Sequence, residues 1–463
     1  MTAIQSLTFD LRSPSTGLVI AQVSDQGVQE AQDAAERSVT AFQTWRRTTA
    51  YFRAGLLRKF FDLMLRDEAE IARLIATEMG KPVSEALGEV RYAAAFIEWY
   101  AEEAKRVFGS VVPSQHAGKR LLVTHEPVGP VYAVTPWNFP AAMATRKLAP
   151  ALAAGCTVIL KPAEQSPLTA LKMRDLWTEA GGPADTFQVI TASDPIPVTQ
   201  VMMADARIRK VTFTGSTEVG RLLAAQAAPT LKRVSLELGG HAPYLIFEDA
   251  DIGQAVADVI ACKFRNAGQT CVCTNRIYVQ RAVAEEFTAR LTAAVQALKV
   301  GDPLDASTQI GPLVDAQGLE KVQRHVTDAL ERGAQATTGG AAGEGLYFTP
   351  TVLTGVTPDM LVMQEETFGP VAPLLVFDTE EEAVQAANDT EYGLAAYLWT
   401  RDLDRAFRVS EQLEYGIIGL NDPVPSTAQA PFGGVKQSGY GREGGPWGLQ
   451  EYLNTKYLSM TVR

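Results

Sequence analysis

Apolar residues recur at three-to-four spacing through the first quarter of the chain. Ala31, Ala34, Ala35, Val39, Phe42 and Trp45 form one stripe, and Leu56, Leu57, Phe60, Phe61, Met64 and Leu65 form the next. This is the period of a helix with one buried face, so residues 27 to 108 are predicted to be helical. Pro82 has no N–H to lose at a helix start and is predicted to open a long helix running to about Phe108. The pattern then changes. Leu121 to Thr124 and Val128 to Thr135 are short, apolar and β-branched, with Gly129 and Pro130 as punctuation, and read as strands.

From Cys156 to Phe247 strands and helices alternate. CTVIL, FQVI and KVTFT are predicted strands, separated by helices from Pro167 to Ala180 and near Pro197 to Ala204. A helix from Thr217 to Ala228 and strands RVSLEL and PYLIF follow. Such an order predicts an open, largely parallel sheet with helices on its faces. A second α/β stretch runs from Asp251 to about Asn421, with helices Asp251 to Arg265, Val283 to Leu298, Glu380 to Asn388 and Leu403 to Leu413 and strands RIYVQ and PLLVF. The end, YLNTKYLSMTV, is apolar and strand-like, suited to pairing with another subunit. No repeat or low-complexity linker divides the chain, so its domains are expected to interleave.

Composition narrows the function. The chain has 463 residues, 46% of them hydrophobic, enough for large cores and several domains. A formal net charge of -11 opposes nucleic-acid or anionic-membrane partners and favours a cytoplasmic protein. No apolar run approaches the ~20 residues of a membrane helix. The N-terminal MTAIQSLTFDLRSPSTG lacks a basic stretch followed by an apolar one, so no secretory signal is expected. The cysteines Cys156, Cys262, Cys271 and Cys273 are too few and scattered for a disulfide scaffold. His116, His125, His241 and His325 lack metal-ligand spacing, so no metal is expected.

Four segments carry chemistry: TPWNFP (135–140), SLELGG (235–240), FRNAGQTCVC (264–273) and EETFGPV (365–371). In this order and spacing they resemble the aldehyde dehydrogenase superfamily, and the resemblance runs from end to end. FRNAGQTCVC, APFGGVKQSG and GREGG are most similar to succinate-semialdehyde dehydrogenases. The resemblance implies an α/β fold with three parts. Residues 1–111 and 132–240 would form a Rossmann-type NAD-binding domain, 241–430 an α/β catalytic domain, and 112–131 with 431–463 a small β oligomerisation segment. It also implies a homodimer or homotetramer.

Cys271, in Gly-Gln-Thr-Cys, matches the nucleophile. Sulfur suits the part: as thiolate it attacks the aldehyde carbon to give a thiohemiacetal, and it leaves well from the thioester that remains after hydride departure. Glu237 matches the general base that activates water against that thioester. Its apolar neighbours Leu236 and Leu238 and the following glycines suggest a semi-buried carboxylate at a strand end, where burial raises the pKa. Asn138 would give a side-chain N–H to the oxyanion, with the Cys271 backbone N–H as second donor; losing one such donor typically costs ~10²–10³ in rate.

A GxGxxG at Gly439, Gly441 and Gly444 follows no strand and is rejected as a dinucleotide loop. Gly215 and Ser216 instead follow strand KVTFT and open a helix, so backbone N–H groups can face a pyrophosphate. By resemblance, Lys161 meets the adenosine ribose, Glu366 holds the nicotinamide ribose, Phe368 packs near the ring, and Pro136, Trp137 and Leu238 complete the cofactor site. Glu164 matches the position facing the adenosine 2′-oxygen. A carboxylate accepts a hydrogen bond from a 2′-hydroxyl and repels a 2′-phosphate, so NAD is expected over NADP.

Arg146, Arg265 and Ser426 match the residues that hold the substrate carboxylate. Arginine suits this because its planar fork binds a carboxylate bidentately and stays charged when buried. A short anionic aldehyde is therefore expected, with succinate semialdehyde first and glutarate semialdehyde or a sulfonated aldehyde as alternatives. Loop Asn421 to Ser426 departs from the family's commoner wording and leaves chain length and head group open. Cys273, two residues past the nucleophile, is by resemblance a candidate redox partner of Cys271. A CoA-acylating enzyme would not need Glu237 to activate water, and a non-catalytic relative would not need Cys271, Glu237 and Asn138 together.

Overall fold

A computed structural model describes residues 7–462. The helical opening is four helices, Val28–Trp45, Ala50–Arg66, Glu68–Met79 and Val83–Glu103. Ala31, Ala34, Ala35, Phe42 and Trp45 are buried on the first, as their spacing requires. Pro82 does precede the fourth helix, which ends at Glu103 rather than Phe108. A single 3-10 turn, Ala104–Arg106, follows, and Phe108 lies exposed beyond it.

Six strands form the first sheet, in spatial order Gly439–Tyr440, Arg233–Glu237, Lys210–Thr214, Val131–Val134, Val158–Lys161 and Phe187–Val189. All pair in parallel except the two-residue edge strand. The chain leaves Val131–Val134 toward one edge, then returns to its other side at Lys210–Thr214. In open α/β sheets the crevice at such a reversal, at the strands' carboxyl ends, is where ligands bind. Residues 135–138 and 215–216 emerge there.

The expected continuation of this sheet to Phe247 is corrected. Ala242–Ile246 crosses into a second, seven-stranded sheet, ordered Gln335–Thr338, Thr351–Thr354, Val371–Phe377, Thr274–Gln280, Ala242–Ile246, Ala395–Trp399 and Ile417–Leu420. Gly239-Gly240 is the crossing point, where the chain runs so close to the Cys271 carbonyl that a Cβ on Gly240 would lie 2.3 Å from it. A third sheet pairs Leu453–Thr461 with Lys119–Pro127 and Ser110–Val112, all antiparallel. Within 431–463 only this last strand joins it. Gly439–Tyr440 pairs with Arg233–Glu237 in the first sheet, and helix Gly445–Gln450 packs on Val83–Glu103 and Pro140–Ala154, so the boundary drawn at 431 is too early.

Candidate active site

The nucleophile loop is built on an unusual backbone. After helix Ile252–Lys263 come three consecutive residues with positive φ: Asn266 at 52°, Ala267 at 53° and Gly268 at 75°. Side chains disfavour this region by roughly 1–2 kcal/mol per residue, so the turn must be held. Glu85 accepts the Asn266 backbone N–H at 2.7 Å. Asn266 Nδ2 donates to the carbonyls of Asn138 (3.1 Å) and Gln269 (3.2 Å), and Gln269 Oε1 accepts from Val314 N at 3.0 Å. The loop delivers Cys271, half-buried, at the amino end of strand Thr274–Gln280 and opposite the crevice of the first sheet.

Cys271 borders two cavities of about 330 Å³ each and is the single wall residue they share. Arg146, Arg265 and Ser426 line the first, together with apolar Phe139, Met143 and Phe432. The three expected anion-binding residues thus come together, yet they are not equivalent. Arg146 Nε pairs with Glu443 at 2.7 Å, and its guanidinium lies 3.6 Å from the Phe432 ring centre. Among the described residues Arg265 forms no ion pair, although its Nε and Arg146 Nη2 alike lack a hydrogen-bond partner. Ser426 Oγ is hydrogen-bonded to Tyr92 Oη at 2.5 Å. Tyr92 and Glu85, which also line this cavity, come from the helical opening, where the sequence offers only a helix period.

Pro136, Trp137, Asn138, Gly215, Ser216, Leu238, Glu366 and Phe368 line the second cavity. Ser216 caps helix Thr217–Ala227, accepting from Val219 N at 3.3 Å, so the helix N-terminus faces the cavity. Glu366 accepts the Gly240 N–H at 3.2 Å, and burial pushes its carboxyl up to about 7. Trp137 and Phe368 meet edge to face with ring centres 5.6 Å apart. Asn138 Nδ2 gives one hydrogen to the Gln269 carbonyl at 3.0 Å, which leaves its second free. Lys161 and Glu164 border neither cavity. They pair with each other at 3.1 Å, and Glu164 lines a separate recess with Arg12 and Glu78. A wall that sequence reasoning missed is the start of helix Ala316–Glu331, with Gln317, Gly318 and Lys321.

Glu237 is fully buried at the end of strand Arg233–Glu237 and borders neither cavity. Both carboxylate oxygens lack a hydrogen-bond partner. Burial raises its pKa well above the usual range, and Glu443 pushes the same way. Glu443, itself paired with Arg146 and with Lys147 at 2.5 Å, is held below the usual range by those cations despite its burial. Enclosure pushes the Cys271 thiol up to about 12, with Glu366 adding to the shift and Arg146 opposing it. Cys273 is buried outside both cavities, its thiol donating to the Gly268 carbonyl at 3.2 Å. Gly439, Gly441 and Gly444 lie on the edge strand and the turn after it. Among the described residues no His, Cys, Asp or Glu cluster could hold a metal, and no helix is long and apolar enough to cross a membrane.

The family model for the aldehyde dehydrogenase family matches residues 2–458. The chain is 50% identical to the NADP(+) succinate-semialdehyde dehydrogenase GabD of Escherichia coli (strain K12), over 97% of this chain and 93% of that protein. It is also 50% identical to 3-sulfolactaldehyde dehydrogenase of Pseudomonas putida, over 98% of this chain and 93% of the other. The crystal structure of an aldehyde dehydrogenase from Brucella melitensis biovar abortus 2308 superimposes with a TM-score of 0.97 at 52% identity, covering 99% of this chain and 94% of that one.

Proposed function

The chain belongs to the aldehyde dehydrogenase family, and we propose that it oxidises a short anionic aldehyde, succinate semialdehyde before others, to the carboxylate with reduction of NAD(P). The observation that carries this reading is the position of Cys271 between one cavity with two arginines and another at the carboxyl edge of a parallel sheet. The residues of the second cavity fit a dinucleotide: a capped helix N-terminus for the pyrophosphate, the half-buried Glu366 for a ribose, and apolar walls for a planar ring. When bound there, the nicotinamide supplies the hydride acceptor.

In this reading the Cys271 thiol passes its proton to solvent water and the sulfur bonds to the aldehyde carbon. The free N–H of Asn138 and the Cys271 backbone N–H hold the oxygen that becomes negative. After hydride departure a thioester joins the acyl group to Cys271. Glu237, as base, takes a proton from the water that cleaves it. Its carboxyl turns from Glu443 toward the sulfur to do so, because its resting place borders neither cavity. Arg265, which forms no ion pair among the described residues, holds the far anionic group, while much of the charge of Arg146 is met by Glu443. A water-activating Glu237 favours hydrolysis over transfer to CoA.

The finer assignments belong to the same proposal. NAD is preferred, because Glu164 places a carboxylate beside Lys161 where a 2′-phosphate would be repelled; the Escherichia coli relative is named for NADP(+). The first sheet with the helical opening forms the cofactor domain, the second sheet the catalytic domain, and the third joins subunits into dimers or tetramers. Cys273 closes a disulfide with Cys271 under oxidation. The protein works in the cytoplasm.

The test is NADH or NADPH formation from succinate semialdehyde, glutarate semialdehyde, a sulfonated aldehyde and propanal, without CoA. The anionic aldehydes should exceed propanal in kcat/KM by tenfold or more, and Glu164→Ser should raise NADPH formation relative to NADH. Propanal as the best substrate would remove the arginines from the reading and leave the dehydrogenase.

A further inference from the structure

His325 lies on helix Ala316–Glu331, fully buried, and touches neither cavity. Both its ring nitrogens are engaged by one loop. Nδ1 is 3.2 Å from Thr367 Oγ1, and Nε2 is 3.2 Å from Glu365 Oε2. These partners flank Glu366, whose carboxylate lines the second cavity. The carboxylate partner fixes the Nε2 hydrogen. A carboxylate paired with Arg324 at 2.9 Å can only accept, so Nε2 donates, and Nδ1 accepts the Thr367 hydroxyl hydrogen when the ring is neutral. Burial holds the His325 pKa down at about 4, with Lys321 and Arg324 also lowering it and Glu365 opposing them.

The same helix supplies another wall of that cavity. Gly318 and Lys321 line it, and His325 follows on the same face, four residues after Lys321 and seven after Gly318. The loop needs holding, because Phe368 sits at φ 56°, where a bulky side chain is strained. A second point of attachment lies one residue on. A Cβ on Gly369 would fall 2.3 Å from Val322 Cγ2, so helix and loop already pack without a gap.

We propose that His325 is a positioning residue: its imidazole clasps loop 365–368 to helix Ala316–Glu331 and thereby sets Glu366 and Phe368 for the cofactor. The inference rests on the reading of the second cavity as the dinucleotide site. Clasped, the loop presents the Glu366 carboxylate in one place; unclasped, it relaxes at Phe368 and the carboxylate loses its fixed position.

The experiment measures NAD+ and NADP+ binding to the full-length protein by titration calorimetry, beside KM for each substrate, for the wild type, His325→Leu, His325→Gln and Thr367→Val. His325→Leu should weaken binding of the preferred dinucleotide at least tenfold and raise its KM alike, with KM for the aldehyde unchanged within twofold. Thr367→Val removes one link without changing the ring and should weaken binding threefold or more. His325→Gln keeps a donor and an acceptor and should recover most of the loss. Folded variants that bind as the wild type does, or that lose thermal stability alone, would overturn the proposal. If His325→Leu does not fold, Thr367→Val decides by the same criterion. A wild type that binds neither dinucleotide would instead sink the reading of the cavity.

Discussion

At the scale of single residues, the acid–base groups around Cys271 are set against easy ionisation. Burial and the Glu366 carboxylate hold the thiol up at about 12, so far below that pH the thiolate fraction rises tenfold with each pH unit. The rate of Cys271 alkylation by iodoacetamide in the cofactor-free protein should therefore climb about tenfold per unit between pH 7 and 9. A plateau below pH 8 would mean that a thiolate already exists at neutrality. The motif residues Cys271, Glu237 and Asn138 were legible as candidates because their neighbours are contiguous in sequence. Tyr92, Lys321 and His325 were not. Tyr92 and Lys321 reach the cavities, and His325 the loop behind one of them, from helices whose local pattern reports only a buried face, and the chemistry of each depends on what lies across a gap that folding alone closes. The expectation of a semi-buried Glu237 fell short for a related reason. Glu443, which shares its pocket, is far along the chain.

At the scale of elements, backbone close approach is the dominant constraint on the site. The left-handed turn before Cys271 packs against loop 365–369 through Gly268, where a Cβ would meet the Gly369 carbonyl at 2.1 Å. That atom is backbone and cannot swing aside. Gly268→Ala should therefore displace both loops and lower kcat/KM by about a hundredfold or more, a loss of the size seen when catalytic groups shift by about an ångström. Activity within threefold of wild type would show that the loops are separable. Helix Pro140–Ala154 illustrates why some elements escaped the sequence. All its residues are buried, so it has no polar face and no periodic stripe to read. The hairpin Thr8–Arg12 with Val19–Ser24 has short strands and buries only Leu11 and Val23, so the alternation of Thr8 to Arg12 marks no sizeable core. Amphipathic helices and alternating α/β order were readable because one side of each meets solvent or a crossover. The transfer of Ala242–Ile246 to the second sheet was not, since its residues suit any buried parallel strand.

At the scale of the whole molecule, the third sheet stands apart from the two cores. It leaves Val111 and Leu458 exposed in one row across Leu122, an apolar surface on a sheet with an open edge. If this surface joins subunits, Val111→Lys with Leu458→Lys should lower the mass measured by sedimentation velocity without altering the far-UV circular dichroism. An unchanged mass would assign the assembly to another surface. The two large sheets, by contrast, meet around one sulfur, and the cavities on either side of it have Cys271 alone in common. A mutation in one wall is therefore seldom a mutation in the other. Across generations, a lineage can retune which aldehyde it accepts while its coenzyme preference stays as inherited, or the reverse, so that the two specificities drift as separate traits.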